Sequence, residues 1–333
     1  MIRRGPRGLP LLLAALVVAG CGSSHKTEAP ARQTLKVGYA YGFDAGSVTT
    51  KIGLQRLKSH GVDVKLRDMG GEQAAIAALA RGDIDISETS YAGAIAAIEQ
   101  GAKLRLVLTE RRVLEFLLVA RKGINTLADL RGKRIAEDGP GGGGTVFVTT
   151  ALERAGLTAK DVTLITLRDS PSRATALAAG RIDASPLEFV DLERIRSKTP
   201  GLKVLATAAK VVPHEPLGVF TASQRVITQH PDVVQKFVNA VLEANAFFST
   251  PAGERRWIAD AKRTALAGDP QSLVQDTYDY YKRISLYPLR GETITPAEYR
   301  NSMRSFLAAK QVQRLDPFGA IWDVSFWRHA KPL

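Results

Sequence analysis

The chain holds one cysteine in 333 residues, Cys21. A lone thiol excludes an intrachain disulfide and any multi-cysteine metal site. Histidine is scarce as well. His25, His60, His214, His230 and His329 stand far apart, and none has the spacing that puts two imidazoles on one metal. There is no G-x-S-x-G elbow, and the S-x-x-K match at Ser23-Ser24-His25-Lys26 lies in a polar stretch where no pocket can form. Long hydrophobic runs are missing too. The longest, beginning at Leu9, is about 12 residues, against the roughly 20 that a membrane-spanning helix requires. These gaps leave little for covalent or metal-centred catalysis. The expectation is a protein that binds rather than transforms, with no cofactor and no metal.

What the N-terminus does contain sets an expected compartment. Arg3, Arg4 and Arg7 precede the apolar run, and Val18-Ala19-Gly20-Cys21 supplies small residues before the cysteine. That is the layout of a secretory signal over residues 1–20, and its end resembles a bacterial lipobox. Cys21 is then the lipidation site, carrying acyl chains such as palmitate that anchor the protein on the outer face of the cell membrane. Residues 21–34 read as a polar, flexible tether. The net charge of +13 falls to +10 once three leader arginines are removed. Export and the scatter of the basic residues speak against nucleic acid as a partner.

A ten-residue unit recurs ninety-eight positions apart, with seven of its ten positions identical. Ala78-Leu79-Ala80-Arg81-Gly82-Asp83-Ile84-Asp85-Ile86-Ser87 returns as Ala176-Leu177-Ala178-Ala179-Gly180-Arg181-Ile182-Asp183-Ala184-Ser185. Each copy reads as an Ala-rich helix, a glycine past its end, and a short strand. Around them, strand-like runs alternate with helical ones, the pattern of an α/β fold with parallel or mixed sheets and flanking helices. Strands are expected at 35–41, 62–67, 84–87, 104–109, 116–120, 162–167, 204–208 and 217–221. The helices expected between them include 72–81, 145–155 and 172–179. A helical stripe runs from Pro231 to Phe248, and further helices at about 253–266, 271–285 and 296–309 form a helical C-terminal tail. The repeat implies two lobes: residues 35–122 with 212–333 as the first, residues 123–211 as the second, with the chain crossing between them twice.

The lipobox, the two repeat units, Thr126-Leu127-Ala128-Asp129-Leu130-Arg131-Gly132-Lys133-Arg134-Ile135-Ala136 and the run from Ala151 to Leu167 together resemble ABC-transporter substrate-binding proteins. The branch is the NMT1/THI5-like one, which handles sulfonate, nitrate, taurine and thiamine-pyrimidine ligands. The resemblance implies a two-lobed, type II periplasmic-binding-protein-like fold with hinge strands between the lobes. It implies a monomer that traps a small molecule and presents it to permease subunits in the membrane. Two ligand classes stay open, a sulfonate-, nitrate- or taurine-like anion and a pyrimidine-like heterocycle. So does an enzyme, a lyase or transferase of pyrimidine-biosynthesis type, on the same fold.

Ligands of open α/β sheets sit beyond the carboxyl ends of the strands, which nominates four loops. They offer Tyr41, Phe43 and Asp44; Glu88, Thr89, Ser90 and Tyr91; Asp138, Gly143, Gly144 and Thr145; and Pro186 and Glu188. Glu88 and Glu188, at the tips of the two repeats, are expected on opposite walls of one cleft. The glycine-rich loop lacks a phosphate-reaching lysine. With Thr145 as helix N-cap, its free N–H groups would favour an anion. The acids Asp44, Glu88, Asp138, Asp169 and Glu188 instead favour N–H donors, with Arg168 and Arg173 as the nearby counterweights. Tyr41, Phe43, Tyr91, Phe147 and Phe189 are candidate stacking walls for a flat ligand.

Overall fold

The computed structural model describes residues 32–139, 142–213, 215–292, 294–308 and 310–333. The expected signal segment, Cys21, most of the tether and His214 lie outside the described residues. Among the described residues, ten strands form two five-stranded mixed sheets. The strands are β1 (Gln33–Tyr39), β2 (Val62–Asp68), β3 (Ile86–Ser90), β4 (Leu104–Thr109), β5 (Leu117–Ala120), β6 (Arg134–Glu137), β7 (Thr163–Thr166), β8 (Ala184–Leu187), β9 (Lys203–Thr207) and β10 (Gly218–Ser223).

The two sheets share one plan. The first runs β2-β1-β3-β10-β4 and the second β7-β6-β8-β5-β9. In each, three parallel strands are followed by one that lies antiparallel between two neighbours. That strand is β10 in the first sheet and β5 in the second. Both arrive from the opposite sheet, so each sheet is completed by a strand that has just crossed over. The described residues of the crossings are 110–116, 208–213 and 215–217, and the two crossings are hydrogen-bonded to each other. Glu110 N donates to Gly218 O at 2.9 Å and Leu217 N to Arg111 O at 3.2 Å. β5, N-terminal to the boundary expected at residue 122, pairs within the second sheet. Its sequence is apolar throughout and says nothing about which neighbour it pairs with.

The repeat is visible atom by atom. Gly82 and Gly180 end their helices at φ of 77° and 71°, a conformation open to glycine because it has no Cβ to clash. Asp85 Oδ2 accepts the Lys36 N–H at 2.9 Å, and Asp183 Oδ2 accepts the Arg134 N–H at 2.9 Å. An arginine clasps each turn, Arg225 on Asp85 and Gly82 O, Arg134 on Asp183 and Gly180 O.

The helices close the layers. Pro231–Phe248 buries Val234, Phe237, Val238, Val241 and Leu242 against the first sheet. It approaches helix Val48–Arg56 so closely that a Cβ on Gly53 would lie 2.6 Å from Ala240 O. Helices Pro251–Arg263 and Gln271–Arg283 pack on the second sheet through Trp257, Tyr278 and Tyr281. Gln271–Arg283 also braces the first crossing, where Tyr280 Oη donates to Glu115 O at 2.9 Å. Among the described residues no helix is long and apolar enough to cross a membrane.

Candidate functional site

A cavity of about 590 Å³ lies at the carboxyl ends of the strands and takes its walls from both sheets. The loop after β1 contributes Tyr41, Phe43 and Asp44, and β3 contributes Glu88 and Ser90. From the second sheet come Asp138 and Gly143 after β6, Arg168 and Asp169 after β7, and Glu188 after β8. The crossings supply Arg111, Phe116 and Leu217. Glu88 and Glu188 therefore face one shared space.

Five of the nominated residues stand elsewhere. Thr89 is buried within the first sheet, its hydroxyl 2.7 Å from that of Thr221. Tyr91 packs edge-on against Phe306 and Trp322 and accepts the Trp322 Nε1 hydrogen bond at 3.1 Å. Pro186 is a buried strand residue whose carbonyl accepts from Arg173. Gly144 and Thr145 lie in the first turn of helix Gly143–Arg154, their N–H groups bonded to Asp138. Of the expected stacking walls, Phe147 is fully buried core and Phe189 stacks on Tyr280 at 4.6 Å.

The glycine loop differs most from expectation. The helix begins at Gly143 rather than after Thr145, and Gly142 is its cap. The Asp138 carboxylate accepts the N–H groups of Gly144 and Thr145 at 2.9 and 2.8 Å. The chain thus places its own carboxylate on the positive end of that helix, where an anionic ligand would otherwise sit. The repeat offset also pairs Glu188 with Ser90 rather than with Glu88. Each is the N-cap residue of the helix that follows. The Ser90 N–H donates to Glu72, and the Glu188 N–H donates to Ser170 Oγ at 3.0 Å.

Sequence reasoning missed Arg111, Glu110 and Glu115 on the crossing. Arg111 is 4 % exposed. Its Nη2 meets Asp44 at 2.6 Å, its Nη1 meets Glu115 at 2.6 Å, and its Nε lies 3.6 Å from Glu110. Burial and the surrounding acids push the carboxyls of Glu110 and Glu115 up to about 7 despite that guanidinium. Burial raises Glu88 and Glu188 well above the usual carboxyl range, reinforced by Glu110 beside Glu88 and by Asp44 beside Glu188. Asp44 is also desolvated, yet Arg111 and the Ser47 hydrogen bonds hold it below its ordinary value. A signal for this centre existed in the sequence: Glu110-Arg111-Arg112 and Glu115 interrupt two apolar strands.

The cations around the cavity are mostly committed. Arg173 Nε donates to Pro186 O at 2.9 Å, and its Nη1 donates to Leu167 O and Arg168 O at 2.9 and 2.8 Å. Arg194 pairs with Asp191 and Asp269. Arg168 is exposed at the rim.

A cavity between twin mixed sheets, floored by paired crossings, agrees with the match of the NMT1/THI5-like family model to residues 57–251, more than half of the chain. The chain belongs to the NMT1/THI5-like family. No curated protein matches it. Solved structures share its periplasmic-binding-protein-like fold. It is similar to the ligand-binding component of an ABC-type import system from Staphylococcus aureus with zinc bound, at 15 % identity and a TM-score of 0.73 over 90 % of this chain and 99 % of that one. It is also similar to the alkanesulfonate-binding protein SsuA from Xanthomonas axonopodis pv. citri bound to MOPS. There the identity is 21 % and the TM-score 0.70, over 88 % of this chain and 99 % of that one. The desulfurization enzyme DSZB aligns at 14 % identity with a TM-score of 0.61, over 89 % of this chain and 98 % of that one. Among the described residues, this family member's cavity is lined by neither cysteine nor histidine.

Proposed function

We propose that the protein is the extracytoplasmic solute-binding component of an ABC importer, held at the membrane by acylated Cys21. It captures a small nitrogen-bearing nutrient, an amine or a pyrimidine-like heterocycle, and hands it to the permease. The observation that carries this reading is the cavity itself. At about 590 Å³ it falls in the range of small-molecule sites, and its walls come from both sheets while its floor is the pair of crossings. A ligand touching both walls favours the closed arrangement by its differential affinity, and the crossings are the hinge. The carboxyl-rich lining and the self-occupied helix terminus at Asp138 favour an N–H donor over a sulfonate or nitrate.

The test is a thermal-shift panel of amines, pyrimidines, sulfonates and nitrate on the mature chain, followed by small-angle scattering with each hit. A ligand at about one hundred times its dissociation constant adds roughly 2.7 kcal/mol of stability. The radius of gyration should contract, and mass spectrometry should recover the ligand unchanged. Recovery of a converted product, or binding without contraction, would remove the transport reading in favour of an enzyme.

A further inference from the structure

Resting on the solute-binding reading, the structure adds a charge requirement. We propose that the ligand enters as an organic cation, a protonated amine or amidinium on a flat apolar body, and that its charged nitrogen docks between Glu188 and the Asp44–Glu115 pair. One carboxyl oxygen each from Asp44, Glu115 and Glu188 lie within 4.8 Å of one another. Glu115 is 0 % exposed, and its Oε2 has no hydrogen-bond donor among the described residues. The Glu188 side chain likewise receives no hydrogen bond from any described residue, its one recorded bond being the backbone N–H to Ser170. A buried acceptor without a donor is costly. Here one, Glu115, lies directly behind Asp44 and the half-buried Glu188, which both line the cavity.

The groups facing Glu188 leave it short of positive charge. Asp44 approaches from the loop after β1, Glu115 and Arg111 from the crossing, and Asp191 from its own helix. Arg111 already spends its two terminal nitrogens on Asp44 and Glu115. Arg194 is bound by Asp191 and Asp269, and Arg173 by backbone carbonyls. One further cation in the cavity would pair with Glu188 and offset the charge of Asp44 and Glu115 behind it. Burial raises the Glu188 carboxyl well above its ordinary range and a docked cation lowers it again, so at a pH between the two values binding releases a proton.

A divalent metal ion fits poorly. It would sit beside the Arg111 guanidinium, 2.6 Å from two of the three acids, and like charges repel strongly where water is excluded. It would also leave most of the cavity unfilled. Tyr41, Phe43, Phe116 and Leu217 line the remaining space and suit a flat apolar body.

The probes are benzamidinium, benzyl alcohol, benzenesulfonate and calcium chloride, titrated calorimetrically at millimolar concentration into the wild type and Glu188→Gln. Benzamidinium should bind, and titration in two buffers of different ionisation heat should show proton release. Glu188→Gln should weaken it about 10- to 100-fold and abolish the proton release. Glu188→Asp, which keeps the charge, should bind with intermediate strength, and melting curves confirm that both variants fold. The proposal is overturned if benzamidinium does not bind, if Glu188→Gln binds it as well as the wild type, or if calcium alone produces the response. Preferential binding of benzenesulfonate also overturns it, but with contraction in scattering it leaves the importer reading intact.

Discussion

Replacing Arg111 with methionine tests the charge balance at the crossing while keeping most of the side-chain volume. The guanidinium sits 2.6 Å from Asp44, 2.6 Å from Glu115 and 3.6 Å from Glu110, and it is almost wholly buried. Removing one partner of a buried ion pair typically costs about 3–5 kcal/mol, because the other charge stays behind unpaired. That is a large share of the ~5–15 kcal/mol that holds a domain together. The loss should depend on pH with a definite sign. Glu110 and Glu115 stand at about 7 in the folded protein against an ordinary 4.5. Between those values the folded state holds protons that the unfolded chain has released, so stability falls as pH rises. Without Arg111 both acids rise further, and the fall continues above 7 at about 1.4 kcal/mol per pH unit for each acid that stays protonated. Urea denaturation at about pH 5.5 and about pH 8 reads this directly. We expect a loss of about 3–5 kcal/mol at the higher pH and a clearly smaller one at the lower. An equal loss at both, or one below about 1 kcal/mol at the higher pH, would refute the placement of Arg111 as the counter-charge of these acids.

Three further outcomes follow from named contacts. Gly53→Ala puts a Cβ 2.6 Å from the Ala240 carbonyl oxygen, a backbone atom that cannot step aside. It should cost about 1–3 kcal/mol, read as a lower denaturation midpoint. Asp85→Ala and Asp183→Ala each remove a carboxylate that accepts a neighbouring strand's N–H and an arginine. Each should cost about 1–3 kcal/mol, and a negligible loss at both sites would contradict the shared role of the two turns. Asp138→Ala strips the carboxylate from the helix that begins at Gly143. It should cost about 1 kcal/mol of stability and create an anion site, so calorimetry with benzenesulfonate should show binding that the wild type lacks.

Local patterns carried some of this structure and not the rest. Helices Glu72–Arg81 and Pro231–Phe248 and strand β4 fall where periodicity and glycine stops place them, since an apolar stripe must face a core. A threonine after glycines fits the cap role that the sequence assigns to Thr145. The real acceptor is Asp138, which reaches forward six and seven residues to Gly144 and Thr145, beyond any adjacent-residue pattern. The pairing of β5 with β8 and β9 is a long-range choice that an all-apolar strand does not encode locally. Arg111 lies outside the loops that follow parallel strands, where the carboxyl-end rule places ligand contacts. It comes from the crossing between β4 and β5, two strands of different sheets.

The duplicated plan also explains how a symmetric scaffold builds an asymmetric site. Asp85 and Asp183 do the same structural work, and Gly82 and Gly180 turn the chain the same way. These positions determine whether a lobe folds. The residues one turn beyond them are released from that duty, and there the copies diverge. Position 90 is a serine whose hydroxyl caps its own helix by accepting the Gly93 N–H at 3.1 Å. Its equivalent, Glu188, makes no such cap and is left facing Asp44 and Glu115 across the cavity. A carboxyl that neither caps nor pairs costs stability in the empty protein. If Glu188 were only scaffold, Glu188→Gln would therefore raise the melting temperature and leave every ligand's affinity untouched. A trade of higher stability for lost binding is what a recognition residue produces instead.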